Sequence, residues 1–147
     1  MNPAATSAAA PVATIPSEPS PARSSDPGPI GSYTVVITAE DVAGSVSAHE
    51  VCENSGSFSL TIRPEGEWEL LQSPAHGCGA LIDPEGGGTW TADDDRIVFT
   101  DRGSFGCPAV FEYRWALNGD ALTFSEVEDA CPPRVVIFSA RAWATVS

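Results

Sequence analysis

From Gly31 onward, apolar and polar side chains repeatedly alternate with a period of two. In the clearest run, residues 111–118, the apolar side chains are Phe111, Tyr113, Trp115 and Leu117. Successive side chains of a β-strand point to opposite faces, so this pattern is typical of a strand with one buried and one solvated face. Shorter runs of the same kind lie at residues 58–63 and 67–70. The period therefore predicts half-buried antiparallel strands.

Turn-forming residues separate these runs at Pro64-Glu65-Gly66, Asp93-Asp94-Asp95 and Asn118-Gly119-Asp120, where the Asn-Gly pair suits a tight hairpin. We predict eight strands, at residues 33–38, 58–63, 67–70, 88–92, 96–101, 111–118, 121–127 and 135–140. Their order indicates a meander, so the predicted fold is an all-β, antiparallel up-and-down barrel. One short helical turn is expected at residues 38–43, where Thr38 and Asp41 have the spacing of a capping box.

A glycine stands two residues before an aromatic residue at four strand entries. The four aromatic residues are Tyr33, Phe58, Trp68 and Trp90. Glycine permits the bend that brings the chain into a curved sheet, and the aromatic side chain can then point inward. We expect these side chains to belong mainly to the core.

Residues 1–30 differ in composition from the rest of the chain. They hold 7 of its 13 prolines, and Ala, Ser and Thr make up most of the remainder. Such a segment buries too little apolar surface to offset its ordering entropy, so we predict a disordered leader that tethers one folded domain, residues 31–147. The stretch from Met1 to Ala13 lacks the basic and apolar regions of a secretory signal, and we expect such a signal to lie upstream of Met1.

The charge is strongly acidic, with 20 Asp and Glu against 7 basic residues, all of them Arg, and a net charge of −13. This surface repels phosphate backbones and anionic lipid headgroups, which argues against nucleic-acid binding and against attachment to a membrane through a basic patch. No apolar run reaches the roughly 18 residues of a membrane-spanning helix. We expect a monomer without a membrane-spanning segment.

Four cysteines, an even number in a small acidic β-rich chain, indicate disulfides and hence a compartment outside the cytoplasm. Four cysteines allow three connectivities. We favour the pairs Cys52 with Cys78 and Cys107 with Cys131, because each pair brackets a compact block of predicted strands.

Several of these segments together resemble small lipocalin-like (calycin-type) β-barrel domains of secreted and cell-envelope proteins from high-GC Gram-positive bacteria. The resemblance covers Gly31 to Trp143 and rests on Gly31-Ser32-Tyr33, Gly56-Ser57-Phe58-Ser59-Leu60, Gly88-Thr89-Trp90, the hairpin from Tyr113 to Phe124, and Cys131 near Arg134. It implies a closed or nearly closed barrel of about eight strands and brings no catalytic residues. The chain departs from true lipocalins in its shorter length and in Tyr33, where they usually carry Trp. This departure argues against a large ligand cavity.

Each of the two histidines lies close to a cysteine in the sequence, His49 near Cys52 and His76 near Cys78. Two imidazoles and two thiols are the number and kind of ligands that a tetrahedral zinc site needs. These spacings are not those of zinc fingers, and the disulfides compete for the same sulfur atoms. We therefore predict neither a metal nor a cofactor.

Two acidic segments, Asp83-Pro84-Glu85-Gly86 and Asp93-Asp94-Asp95, lack the spaced oxygen ligands of a calcium loop and are predicted to be solvated loops or turns. The chain also has no Gly-x-Ser-x-Gly elbow. We do not expect an enzyme.

The pattern favours a non-enzymatic, extracytoplasmic binding module whose barrel accepts a small apolar or amphipathic ligand. Six aromatic residues would line its interior or rim: Tyr33, Phe58, Trp68, Trp90, Tyr113 and Trp115. The alternative is a cell-surface interaction or spacer domain with a filled barrel, whose outer face binds a protein or a wall polymer. The free volume inside the barrel distinguishes the two.

Overall fold

The computed structural model describes residues 28–74, 83–103 and 107–146. Within these ranges the chain forms a closed barrel of eight antiparallel strands, each paired with the next in sequence. The strands are β1 Gly31–Ile37, β2 Gly56–Ile62, β3 Glu67–Pro74, β4 Asp83–Asp93, β5 Arg96–Asp101, β6 Val110–Asn118, β7 Ala121–Glu128 and β8 Trp143–Thr145. The predicted all-β up-and-down barrel is confirmed.

The barrel closes through its shortest strand. β8 pairs with β1 through Tyr33 opposite Thr145, and with β7 through Leu122 opposite Trp143. Because β8 has only three residues, it spans only part of the distance along β1 and β7. The helix at Pro132–Ser139 also packs against β7.

Three short helices are inserted in the described connections: α1 Ala39–Val42, α2 Ala48–Val51 and α3 Pro132–Ser139, with a 3-10 turn at Cys52–Asn54. The predicted helical turn is α1, and its capping box is present. The Thr38 side chain accepts from the backbone N–H of Asp41, while the Asp41 carboxylate accepts from the backbone N–H of Thr38 at 2.8 Å.

The strand predicted at residues 135–140 is wrong, because this segment belongs to helix α3. Its β-branched residues favoured a strand, but prolines occupy the first two helical positions, where they start a helix without losing a needed hydrogen bond. The adjacent residues Ile137 and Phe138 are both buried, which a strand with one solvated face does not allow. The eighth strand lies further on, at Trp143–Thr145.

The connections differ between the two ends of the barrel. At the turn end lie the tight turns 63–66, 94–95 and 119–120, where the sequence predicts them. At the loop end lie the longer connections 38–55 and 129–142. Residues 83–86, predicted as an acidic loop, are instead the first part of β4.

Aromatic rings fill the barrel. Phe138 of α3 is fully buried, and its ring centre lies 5.3–6.3 Å from the centres of six other rings. These are Trp68, Phe99, Phe111, Tyr113, Phe124 and Trp143. Helix α3 therefore places a ring into the loop end of the barrel and packs it among those of the strands.

The predicted leader lies outside the described residues except for its last three. Gly28, Pro29 and Ile30 lie against the barrel: Pro29 is buried, and its carbonyl accepts a hydrogen bond from the Tyr33 hydroxyl at 3.0 Å. Ile30 packs against the core. Contacts with the folded domain therefore begin slightly before Gly31.

Candidate functional site

The six aromatic residues proposed to line a ligand site are mostly packed into the protein interior. Tyr33, Phe58, Trp68, Trp90 and Tyr113 are all buried, and Trp115 is partly buried against the same core. The rings of Trp68 and Tyr113 pack against that of Phe138 from α3. Of the six, Trp68 also lines an open cleft.

This cleft, called the mouth cleft below, lies at the loop end between helix α3 and strands β3 to β5. Its volume is about 170 Å³. Its lining combines apolar side chains with a few polar groups: Asn54, Trp68, Leu70, Gly86, Asp101, Gly103, Cys107, Cys131, Pro133, Arg134, Ile137 and Phe138. Such a combination of an apolar wall and a few polar groups is typical of small-molecule sites.

Three consecutive glycines in β4 let other groups approach the strand closely. A side chain at Gly88 would collide with the carbonyl oxygen of Thr100, which lies 1.9 Å from where its Cβ would be. At Gly86 the nearest groups are instead side chains of the cleft: a Cβ would lie 3.0 Å from the Trp68 ring and 3.3 Å from Asp101 Oδ2. Both distances are shorter than ordinary van der Waals contact, so the absence of a side chain at Gly86 lets Trp68 and Asp101 lie close to the strand at the edge of the cleft.

A buried polar cluster supports one side of the cleft. The side chain of Asp129 is fully buried and accepts hydrogen bonds from Arg134 Nη2 at 2.7 Å and from the Tyr113 hydroxyl at 2.6 Å. The Arg134 guanidinium also lies 3.7 Å above the centre of the Phe111 ring and donates to the Pro108 carbonyl. Each charge is paired, as buried charges require.

Tyr113 remains a hydrogen-bond donor within this cluster. Burial raises the pKa of its phenol well above the ordinary value of 10.0, and the hydrogen bond to Asp129 raises it further. The phenol therefore stays protonated, and the cluster holds α3 against the barrel rather than supplying a reactive group.

The predicted disulfide between Cys107 and Cys131 is confirmed, and both cysteines line the mouth cleft. It joins the connection that precedes β6 to the start of α3. Cys52 is disulfide-bonded as well. Its predicted partner Cys78 lies outside the described residues, as does His76.

No group of three or more His, Cys, Asp or Glu in the described part of the chain could hold a metal ion. The acidic turn after β4 is a hairpin turn at the opposite end from the cleft, where Asp95 pairs with Arg114 at 2.9 Å.

No helix within the described ranges is long and apolar enough to cross a membrane.

Most residues of the cleft were absent from the sequence-based candidates, and Asp101 and Gly86 are among them. Asp101 ends β5 and is only 8% exposed, and no local pattern in the sequence indicates this burial. The glycine run of residues 86–88 is visible in the sequence, but its role depends on which side chains lie opposite it across the sheet.

No protein-family model, curated protein or solved structure matches this chain. The lipocalin-like relationship therefore stays a prediction from the residues quoted for it. The fold defines a closed eight-stranded β-barrel domain with a disulfide at its loop end, an architecture compatible with a binding module.

Proposed function

We propose that this domain is a non-enzymatic, extracytoplasmic binding module of the lipocalin-like kind, and that its site is the mouth cleft rather than the barrel interior. The single observation that carries the proposal is the cleft itself, a space of about 170 Å³ bordered by Trp68, Leu70 and Ile137 and by the buried carboxylate of Asp101. A cavity of about 150 Å³ suffices to hold benzene. The ligand would be a small apolar or amphipathic group of about that size.

The disulfide supports a location outside the cytoplasm, because disulfides persist mainly in oxidising compartments. The net charge of −13 fits a domain exposed to the aqueous phase of such a compartment and does not favour an anionic ligand.

A second candidate is supported by the filled barrel. Since Phe138 and its neighbouring rings occupy the interior, the domain could act as a cell-surface interaction or spacer domain that binds a protein or wall polymer through its outer face. In that case no small molecule would occupy the mouth cleft.

The four tryptophan side chains permit a direct test by two-dimensional NMR of their indole N–H groups. Trp68 borders the cleft, whereas the indole of Trp90 donates to the Arg63 carbonyl at the turn end. Titration with benzyl alcohol is expected to shift the Trp68 signal and to leave the Trp90 signal in place.

A matched pair of glycine variants provides the control. Gly86→Ala adds a methyl group inside the cleft and is expected to weaken binding, whereas Gly44→Ala adds one where no atom lies within 4 Å and should have no effect. If no aromatic fragment at millimolar concentration moves the Trp68 signal, the binding-module proposal is wrong and the spacer domain is favoured.

A further inference from the structure

A carboxylate with a free oxygen faces the mouth cleft. Asp101 is 92% buried, and its Oδ1 atom accepts hydrogen bonds from the backbone N–H groups of Gly103 at 3.1 Å and Gly87 at 3.4 Å. Among the described residues, no group donates to Oδ2 and no arginine pairs with the carboxylate. Since an ionised carboxylate accepts about four hydrogen bonds, one side of Asp101 has unused capacity.

The free oxygen lies close to Gly86 and Trp68, which line the cleft together with Asp101. The position that a Cβ of Gly86 would take lies 3.3 Å from Oδ2 and 3.0 Å from the Trp68 ring. This position is itself crowded, so a ligand group would reach Oδ2 from the cleft, where the Trp68 ring of the apolar wall lies beside the carboxylate. The site thus has one charged contact next to an apolar surface.

The charges around the cleft leave Asp101 uncompensated. Arg134, the one cation that lines the cleft in the described residues, already forms its ion pair with Asp129 and donates to the Pro108 carbonyl. These two charges cancel each other, so among the described residues that line the cleft the remaining charge is that of Asp101. The guanidinium of Arg102 lies against Gly87 and does not line the cleft. The overall charge of −13 adds a long-range attraction for cations.

We propose that the mouth cleft selects compact organic cations, in which a primary ammonium or guanidinium group pairs with Asp101 Oδ2 and an apolar body packs on Trp68, Leu70 and Ile137. This inference rests on the proposed function and names its ligand class. A hydrogen bond between a cationic donor and a carboxylate is roughly twice as strong as one between neutral groups, so Oδ2 favours a cation over a neutral donor. An anion would place a second negative charge beside Asp101 and is excluded.

The same chemistry can come from a free amine or from a Lys or Arg side chain of a partner protein. The test therefore compares benzylamine with an acetylated and amidated pentapeptide, Gly-Gly-Lys-Gly-Gly. Tighter binding of the amine identifies a small-molecule ligand, and tighter binding of the peptide identifies a protein partner. Either result supports a cation site.

The cation preference itself is measured with three probes of similar shape: benzylamine, benzyl alcohol and benzoate. At neutral pH and low salt, benzylamine is expected to bind at least about tenfold more tightly than benzyl alcohol, since hydrogen bonds between charged groups are the strong ones. Benzoate should cause no shift of the Trp68 indole signal.

Two Asp-to-Asn variants separate the local carboxylate from the overall charge. Asp101→Asn keeps an oxygen that can accept from Gly87 and Gly103, and it should reduce benzylamine affinity about tenfold while changing benzyl alcohol affinity less than about twofold. Asp93→Asn, on the exposed acidic turn at the opposite end of the barrel, removes the same charge and should preserve the preference.

Equal affinities of the wild-type protein for benzylamine and benzyl alcohol would overturn the cation site while leaving the binding module intact. Binding of none of the probes, including the peptide, would overturn both. A preference for benzylamine that persists in Asp101→Asn would also refute the assignment of this residue.

Discussion

The Phe138→Ala substitution tests whether helix α3 really fills the barrel. The Phe138 side chain is fully buried, and six aromatic rings lie within 6.3 Å of it, centre to centre. Removing a buried Phe ring typically costs about 3–5 kcal/mol, the sum of lost transfer free energy and a cavity term of about 24 cal/mol per Å³. Rings from β3, β5, β6 and β7 cannot easily collapse into the gap, because each is held by its own strand. We therefore expect a loss of about 4 kcal/mol in the free energy of unfolding.

Urea melts of the wild-type protein and three variants would measure this loss. Phe138→Leu keeps most of the volume and should cost less than about 1.5 kcal/mol. The control is Val135→Ala on the same helix, where the side chain is only half-buried; it should change stability by less than about 1 kcal/mol, since Ala also favours the helix.

The truncated variant should also gain an internal binding site. The gap left by Phe138 would join the mouth cleft, which this residue already borders, to the barrel interior. Benzene should therefore raise the melting temperature of Phe138→Ala more than that of the wild-type protein. If Phe138→Ala costs no more than Val135→Ala, the ring does not fill the barrel, and the interior is again open to a ligand.

Three further outcomes are expected. The ion pair with Arg141 and the capping hydrogen bonds lower the pKa of Asp41 from 3.8 to about 2. The ionised carboxylate therefore stabilises the fold above about pH 4, and this contribution is lost as the pH falls toward 2. Acid titrations of Asp41→Asn should lack that part of the pH dependence, which amounts to about 0.5–1 kcal/mol for a pair near the surface. The indole N–H of Trp115 is buried without a partner in the described structure. Calorimetry should therefore find the stability of Trp115→Phe within about 1 kcal/mol of the wild type. Trp115→Ala should cost about 2–3 kcal/mol, because it also removes packing. Replacing both Cys107 and Cys131 with Ala should lower the free energy of unfolding by about 3 kcal/mol, because the bond closes a loop of 24 residues; equal urea midpoints of the oxidised protein and the double variant would contradict this value.

Local patterns in the sequence predicted most of the barrel. Alternation along residues 111–118 identifies β6, since a strand has a period of two wherever it lies in the sheet. The outward Arg114 is exposed and Tyr113 is buried, as the pattern predicts. The pattern fails near the strand end: Leu117 is 43% exposed because it lies next to the turn, beyond the core.

Features that depend on long-range packing could not be predicted in this way. The segment 135–140 has the β-branched composition of a strand, yet it follows two prolines that begin a helix, and the Arg134–Asp129 pair holds that helix where Phe138 enters the barrel. The outcome depends on which residues lie opposite it in space. Local propensity does not contain that information.

The candidate site likewise depends partly on local sequence patterns and partly on long-range packing. The sequence determined the strands and turns of the barrel and the composition of its core, because these depend on neighbours within a few residues. Only the tertiary structure decided that the aromatic residues fill the interior, and that Gly86 in β4 and Asp101 in β5 face one cleft beneath α3. Cross-strand register and the closure of the barrel bring these residues together, and both are properties of the whole sheet rather than of any single segment.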